Sequence, residues 1–160
     1  MDTSAIIDFL KEIAFLLIVF GAFLVLAMAK GKQTLINAIM ALYLGLLLSL
    51  RFPYYESMIA GVGPGAESMI RIAVFVFFTV ISFWLFARLM PREFDEKAFQ
   101  GFGMKMLFAF AATALVMSFS YNVLPITEFI TPGSPIQTLF APKEYFFWWL
   151  LTPIVILFWL

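Results

Sequence analysis

The chain has 160 residues, of which 64% are hydrophobic and only 12% are charged, and its formal net charge is zero. A soluble domain carries about 25% charged residues, so this composition offers too little polar surface to cover a globule of this size in water. The zero net charge gives no electrostatic basis for binding nucleic acid, and the absence of Cys and His excludes disulfides, Cys/His zinc sites, haem histidines and His-based catalytic triads.

The charged residues are clustered and leave apolar runs long enough to cross a bilayer. We therefore predict an all-α fold, a polytopic helical membrane bundle that forms one domain over residues 1–160 with about five transmembrane helices. The predicted spans are 5–29, 33–51, 70–90, 104–124 and 145–160.

The first residues of the chain are partly charged, with Asp8, Lys11 and Glu12 on one helical stripe. Charges close to the end of a span usually reach the interface, so we predict that these side chains face water or headgroups. The alternative is a polar groove that faces a partner. In the uncharged run that follows, Gly21 and Ala22, together with Ala14, predict a small-residue packing face.

A short basic turn, Lys30-Gly31-Lys32, joins the first span to the second. Two apolar helices joined this tightly must form an antiparallel hairpin. Asn37 lies one turn inside the second span, and we expect it to bond a neighbouring helix or a headgroup rather than a substrate. Tyr43 is a further polar member of this span.

The connection at 52–71 contains Pro and several Gly residues and is predicted to be a surface loop, with a loop that dips into the membrane as the alternative. At its end, Glu67 and Arg71 are spaced i, i+4 and support the start of the third helix. That helix carries its only charge, Arg88, near its end. The following segment, 91–103, alternates charges with apolar residues and is interpreted as a structural linker, with a short helix on the membrane surface as the alternative.

The fourth span is rich in small residues, which let helices approach closely in a membrane, and we expect it to be the most central helix. Its small and hydroxyl members are Ala109, Ala111, Ala112, Thr113, Ala114, Ser118 and Ser120. At its end, Tyr121 and Asn122 join the two serines in the densest uncharged polar cluster of the chain. We interpret this cluster as a helix end at the interface; the alternative is the lining of a vestibule.

The C-terminal part begins with a proline-rich connection, 125–144, that is predicted to be mostly non-helical. The last apolar segment, 145–160, reaches only ~24 Å as a helix, against a hydrocarbon core of ~30 Å. Tryptophans near both ends indicate two interfacial belts, and Pro153 predicts a kink. We predict a fifth span here, with a tilted or re-entrant half-span as the alternative.

Basic residues are divided unequally between the two sides of this topology. One side holds six: Lys30, Lys32, Arg88, Arg92, Lys97 and Lys105. The other holds four: Lys11, Arg51, Arg71 and Lys143. The excess of basic residues predicts that the first side is cytoplasmic, which puts the N-terminus outside and the C-terminus in the cytoplasm. We interpret Lys30, Lys32, Arg88 and Arg92 as topology anchors.

The order of these elements resembles the colicin V production protein family, small multi-pass proteins of the bacterial inner membrane. The resemblance lies in an uncleaved first helix, a tight basic turn, a second helix with LINAIMALYLGLLL and a third helix that ends FARLM before a charged linker. It covers roughly residues 13–124, and the segment 143–160 does not match. The family's arginine-glycine turn is here Lys30-Gly31-Lys32. The resemblance implies a bacterial inner-membrane bundle linked to envelope homeostasis or export, and it supplies no catalytic residues.

The leading functional hypothesis is a non-enzymatic integral membrane protein, a scaffold or accessory subunit of a membrane or export complex. We expect no cofactor, and we expect the lipid bilayer, other membrane subunits or further copies of the chain as partners. The alternative is a small oligomeric transporter or channel with a pore between protomers. Ionisable groups deep within spans are typical of a solute path, and apart from Arg88 and Lys105, each near a span end, every charge lies outside the apolar runs. This counts against proton- or ion-coupled transport, although a pore between protomers could use Asn37, Tyr43 or Ser118. An intramembrane enzyme is the third hypothesis, disfavoured because His and mid-span Asp are absent.

The polar residues within the spans are the only candidates for a functional site. They are Asn37, Tyr43, Ser118, Tyr121 and Asn122.

Overall fold

The computed structural model of the protein describes residues 3–90, 101–123 and 135–158. Within these ranges the chain is almost entirely helical and contains no strand, so the predicted all-α fold is confirmed. The helices in chain order are α1 (Thr3–Lys30), α2 (Lys32–Leu50), α3 (Tyr55–Ile59), α4 (Pro64–Leu89), α5 (Phe102–Asn122), α6 (Pro135–Phe140) and α7 (Lys143–Phe158).

Four of these helices, α1, α2, α4 and α5, are long and apolar enough to cross a membrane. The predicted count of five spans is therefore wrong for the part of the chain that the structure describes. The last helix, α7, has 16 residues and contains Pro153, so it reaches only ~24 Å. This length agrees with the alternative prediction, in which the last segment is a half-span and does not cross the membrane fully.

A single residue, Gly31, separates α1 from α2. Its φ of 81° lies in the left-handed region, which glycine adopts without the steric cost that a Cβ imposes. The Gly31 N–H still donates to the carbonyl of Ala27 at 3.1 Å, so the chain reverses directly at the end of α1. The two helices pack against each other, and the predicted hairpin is confirmed.

The central helix is α5, as predicted, since it contacts α1, α2, α6 and α7. Ala111 and Ala112 are fully buried on it, and small side chains at these positions let neighbouring helices approach closely. Phe108, Leu115 and Phe119 are buried on the same helix and belong to the main apolar core.

A second close approach joins α2 to α4. A Cβ atom added to Gly45 of α2 would meet the Oγ1 atom of Thr79 and would lie 2.8 Å from the Thr79 Cα atom. No side chain larger than hydrogen fits there without separating the helices. Ala38 and Ala41 are buried on the same stripe of α2, so small residues are needed on this helix as well as on α5.

The small-residue face predicted for α1 is wrong. Ala14 and Ala22 are exposed, and a Cβ on Gly21 would meet nothing within 4 Å. Instead, α1 packs through bulky residues such as Phe15 and Leu16. The physical reason is complementarity: the facing surface of α5 already supplies the small side chains, and large ones on α1 fill the space above them.

The connections contain more helix than predicted. Helix α4 begins at Pro64 rather than near residue 70, because proline is favourable at the first helical position. The predicted Glu67–Arg71 pair is present at 2.9 Å. The prediction of a mostly non-helical 125–144 segment is wrong in its described part, which holds α6 and the start of α7. Of the predicted linker at 91–103, residues 91–100 lie outside the described residues.

The two ends of the bundle differ in charge. Each end has four described Lys or Arg residues. We call the basic end the one where no acidic side chain that the structure describes accompanies them; its four lie near the ends of α1, α2, α4 and α5 and are Lys30, Lys32, Arg88 and Lys105. The Gln33 side chain of α2 reaches the Met90 Sδ atom beyond α4 there, at 3.4 Å. We call the other end the opposite end. It carries every Glu whose side chain the structure describes: Glu12, Glu56, Glu67 and Glu144.

Candidate functional site

A carboxylate lies inside the bundle near the opposite end. Glu12 belongs to the first membrane-length segment, Phe9–Lys30, and its side chain is only 1% exposed. The prediction that it faces water or headgroups is therefore wrong, although its neighbour Lys11 is exposed as predicted. Phe15 and Leu16 follow Glu12 at i+3 and i+4 and pack towards α5 and α6. Because these positions share one helix face, the face that packs also carries the carboxylate inside.

Two hydroxyl groups of α5 are buried in the same region. Ser118 is fully buried and Tyr121 is 8% exposed, and neither hydroxyl has a hydrogen-bond partner among the described residues. Phe15 and Leu16, which share the helix face of Glu12, pack in one core cluster with Tyr121, so the Glu12 carboxylate lies on the side of α1 that faces this part of α5. We call Glu12, Ser118 and Tyr121 the Glu12 cluster. Burying such groups is costly in an apolar medium, which makes this cluster the strongest candidate for a site.

The short helix α6 closes this end of the bundle through side chains of its neighbours. The Asn122 Nδ2 atom of α5 donates to the Phe140 carbonyl at 2.7 Å and to the Ser118 carbonyl at 3.1 Å. The Trp149 indole of α7 donates to the Leu139 carbonyl at 3.0 Å. The bonds to Phe140 and Leu139 satisfy carbonyls at the C-terminal end of α6, which have no partner within so short a helix.

An aromatic stack reinforces the same contact. The Phe140 ring lies 6.5 Å from the Tyr121 ring at an interplanar angle of 9°. Its other neighbour is the Trp149 ring at 4.6 Å and 35°. We call this arrangement, with Asn122, the α6 clamp. It orders the end of α5 beside the Glu12 cluster.

Tyr43 links three helices at mid-bundle. Its hydroxyl donates to the Leu150 carbonyl of α7, and its ring meets Phe119 of α5 edge to face at 6.3 Å. The bond falls next to the point where Pro153 removes a backbone donor and disturbs the α7 ladder. Thr152 also donates to the Trp148 carbonyl there, at 2.8 Å. Tyr43 therefore docks α7 at its irregular turn.

Asn37 lies closer to the basic end and is 4% exposed. Its Oδ1 atom accepts a hydrogen bond from the Gln33 side chain of the same helix at 3.1 Å. We expected Asn37 to bond a neighbouring helix or a headgroup. Its link to α4 is instead indirect, through Gln33 and the Met90 Sδ atom.

The predicted polar residues thus fall into separate places rather than one site. Ser118, Tyr121 and Asn122 come together at the opposite end, whereas Tyr43 and Asn37 lie apart from them in α2. Glu12 was not predicted as a site residue. A signal existed in the sequence, because Glu12 extends the apolar i, i+3, i+4 pattern of α1.

The proposed topology anchors differ in their surroundings. Lys30 and Arg88 are exposed, and the Arg88 guanidinium lies 5.7 Å from the centre of the Trp84 ring. The Lys32 ammonium lies 5.9 Å from the centre of the Phe108 ring. Arg92 lies outside the described residues. The exposed ends of such side chains are suited to the headgroup region.

Aromatic residues line the opposite end beside α3. Phe52 contacts the rings of Tyr54, Tyr55 and Phe78 at 5.3–5.7 Å. Burial raises the pKa of the Tyr55 phenol above its ordinary value of 10.0, and the Arg71 guanidinium opposes this rise. The neutral phenol and the cation fit the membrane interface, where Tyr is enriched.

No group of three or more potential metal ligands occurs among the residues that the structure describes. Comparison of the chain with protein-family models, with curated proteins and with solved structures finds no match. The resemblance of the first hairpin to the colicin V production protein family therefore stays a prediction.

Proposed function

We propose that the protein is a non-enzymatic scaffold or accessory subunit of a complex in the bacterial inner membrane. The four apolar helices are compatible with an integral membrane protein. The observation that carries the proposal is the use made of polar groups within the bundle. Tyr43 joins α2 to α7 and Asn122 joins α5 to α6, so these side chains hold helices together instead of facing a solute.

The surface of the bundle favours lateral association. Only small parts of the membrane-length segments of α1 and α4 are buried inside the chain, in contrast to α2 and α5. Ile18 and Val25 are exposed on α1, and Trp84 and Leu85 on α4. Such faces meet lipid or the helices of another subunit. The resemblance of the first hairpin extends the proposal to a complex concerned with envelope homeostasis or export.

The direct test is purification from native membranes in a mild detergent. We expect one or more membrane proteins to co-purify in stoichiometric amounts and to be lost when Ile18 is replaced by a polar residue, as in Ile18→Asn. Leu47→Asn, at another exposed position, serves as the matched control. Isolation of the chain without any stoichiometric protein partner would contradict the proposal.

A second candidate function, a small transporter, is favoured by one observation. Glu12 is a buried carboxylate in a membrane-length helix, and such residues often mark ion or proton paths. Under this hypothesis, protein in liposomes produces a solute or proton flux that Glu12→Gln abolishes and the exposed control Glu56→Gln does not. Under the scaffold proposal no flux is seen with any of the three proteins.

The orientation we propose places the basic end in the cytoplasm and the N-terminus outside. Counting the whole sequence, the side of the first turn has six basic and three acidic residues, and the other side has four basic and seven acidic residues. The excess of Lys and Arg supports a cytoplasmic basic end. In intact cells, an impermeant thiol reagent should label Ser57→Cys and leave Gly101→Cys unlabelled. The reverse pattern would overturn the orientation.

A further inference from the structure

An apolar groove runs along the surface of the bundle between α1 and α4. Its volume is about 260 Å³, and its floor is formed by α2. The groove exists because Ala38 and Ala41 of the floor are too small to fill the space between the two flanking helices. The lining residues are Phe23, Leu26, Ala38, Ala41, Leu42, Thr79, Val80 and Phe83.

The groove opens to the outside of the bundle at the depth of the hydrocarbon. Val80 lines it and is 60% exposed. All of the lining side chains are apolar except Thr79, whose hydroxyl is itself buried. A surface of this kind at this depth contacts hydrocarbon, not water.

Exposed basic residues lie one to two helical turns beyond the groove. Lys30 follows the lining residue Leu26 by four residues, or ~6 Å along α1, and Arg88 follows Phe83 by five residues, or ~8 Å along α4. Both side chains are exposed. The groove therefore leads from the hydrocarbon to two cations near the headgroup region, while the described glutamates lie at the opposite end.

The charges beside the groove distinguish a lipid from an apolar partner helix. An apolar helix would bring no countercharge to Lys30 and Arg88, whereas a phospholipid carries an apolar chain and a charged headgroup in one molecule. Part of a slender acyl chain fits this space. The two cations at the basic end complement a headgroup with a net negative charge.

We propose that this groove is a specific binding site for an anionic phospholipid, with one acyl chain against Ala38 and Ala41 and the headgroup on the side of Lys30 and Arg88. This inference requires only that the chain lies in a membrane, so it does not depend on the proposed scaffold role. Its consequence is a bound lipid that fills the surface between α1 and α4.

Native mass spectrometry of the purified protein tests the site directly. The probe is an equal mixture of phosphatidylglycerol and phosphatidylcholine with identical acyl chains, added in detergent. We expect the wild-type chain to retain phosphatidylglycerol preferentially. Because each Lys or Arg near an anionic surface contributes about fivefold in affinity, removing both cations in Lys30→Gln/Arg88→Gln should reduce the preference by about 25-fold.

Two matched variants separate this site from general attraction between the protein and lipid. The double variant Arg51→Gln/Lys143→Gln removes the same charge from exposed positions at the opposite end and should keep the preference. Val80→Phe fills the groove from its exposed rim and should cause loss of the bound lipid. Val76→Phe, at an exposed position one turn away that does not line the groove, should not.

Three results would overturn the proposal. The first is equal retention of the two lipids by the wild-type chain. The second is equal lipid retention by Val80→Phe and Val76→Phe. This result would show that lipid binding depends on the headgroup alone and not on the groove. The third is a protein dimer without a bound lipid that dissociates in Val80→Phe, which would make the groove an interface between copies.

Discussion

The two ends of the bundle are built from the same kind of helix but are ordered by different contacts. At the opposite end, Asn122, Phe140 and Trp149 bind α5, α6 and α7 to one another. At the basic end, a one-residue turn joins α1 and α2, and the Lys30 and Arg88 side chains are exposed. The opposite end therefore derives its order from contacts within the chain, whereas the basic end is arranged for contact with the membrane surface. Variants at the two ends should therefore differ in their effect on stability.

The largest effect is expected from Phe140→Ala. This variant removes a ring that is 4% exposed and lies between Tyr121 and Trp149. Deletion of a buried Phe side chain costs about 3 kcal/mol or more, measured as the free energy of unfolding in detergent. The neighbouring Leu139→Ala, at a position 50% exposed, serves as the control. Equal losses for the two variants would show that α6 is not clamped.

A smaller effect is expected from Asn122→Ala. The variant removes the hydrogen bonds to the carbonyls of Phe140 and Ser118. Hydrogen bonds between membrane helices contribute about 0.6 to 1.7 kcal/mol each, so we expect a loss of about 1–2 kcal/mol and faster hydrogen exchange in α6. Unchanged exchange in α6, with the exposed variant Ser57→Ala as the reference, would contradict the clamp.

At mid-bundle, Tyr43→Phe should cost about 0.6 kcal/mol. The variant keeps the ring against Phe119 and removes only the bond to the Leu150 carbonyl. The loss should appear as weaker protection of α7 against hydrogen exchange. Tyr54→Phe, at an exposed position, should leave the protection of α7 unchanged. A similar loss of protection in both variants would show that the Tyr43 hydroxyl does not hold α7 in place.

The smallest effect on stability is expected at the basic end. Lys30 is exposed and its side chain supports no bond between helices within the described residues, so Lys30→Gln should change the unfolding free energy by less than about 0.5 kcal/mol. The same measurement used for the clamp variants checks this. A loss of unfolding free energy as large as that of Asn122→Ala would contradict the proposed difference between the two ends.

Sequence patterns predicted the parts of the fold that depend on local composition. Apolar runs of membrane length predicted the helices, and the alanines of α5 predicted its central place. The count of spans was wrong because 16 residues with Pro153 make α7 too short. Helix α6 was missed because its order comes from Tyr121, Asn122 and Trp149, which are distant in the sequence.

The candidate site was predicted only in part, for a similar reason. The cluster of Ser118, Tyr121 and Asn122 was visible as neighbouring polar residues in one span. Glu12 was assigned to the interface by the rule that charges near a span end reach water. Packing of α1 against α5 overrides that rule, because Glu12 shares its helix face with Phe15 and Leu16.

Our proposal states that Tyr43 and Asn122 hold the helices together and that the buried polar groups of the bundle do not line an aqueous path. Because the chain contains no Cys, the most direct measurement is thiol labelling of Ser118→Cys in liposomes with a water-soluble reagent, compared with exposed Ser57→Cys. We expect rapid labelling of Ser57→Cys, and labelling of Ser118→Cys only after unfolding in SDS. Labelling of both at similar rates in the folded protein would contradict the proposal and favour a solute path beside Glu12.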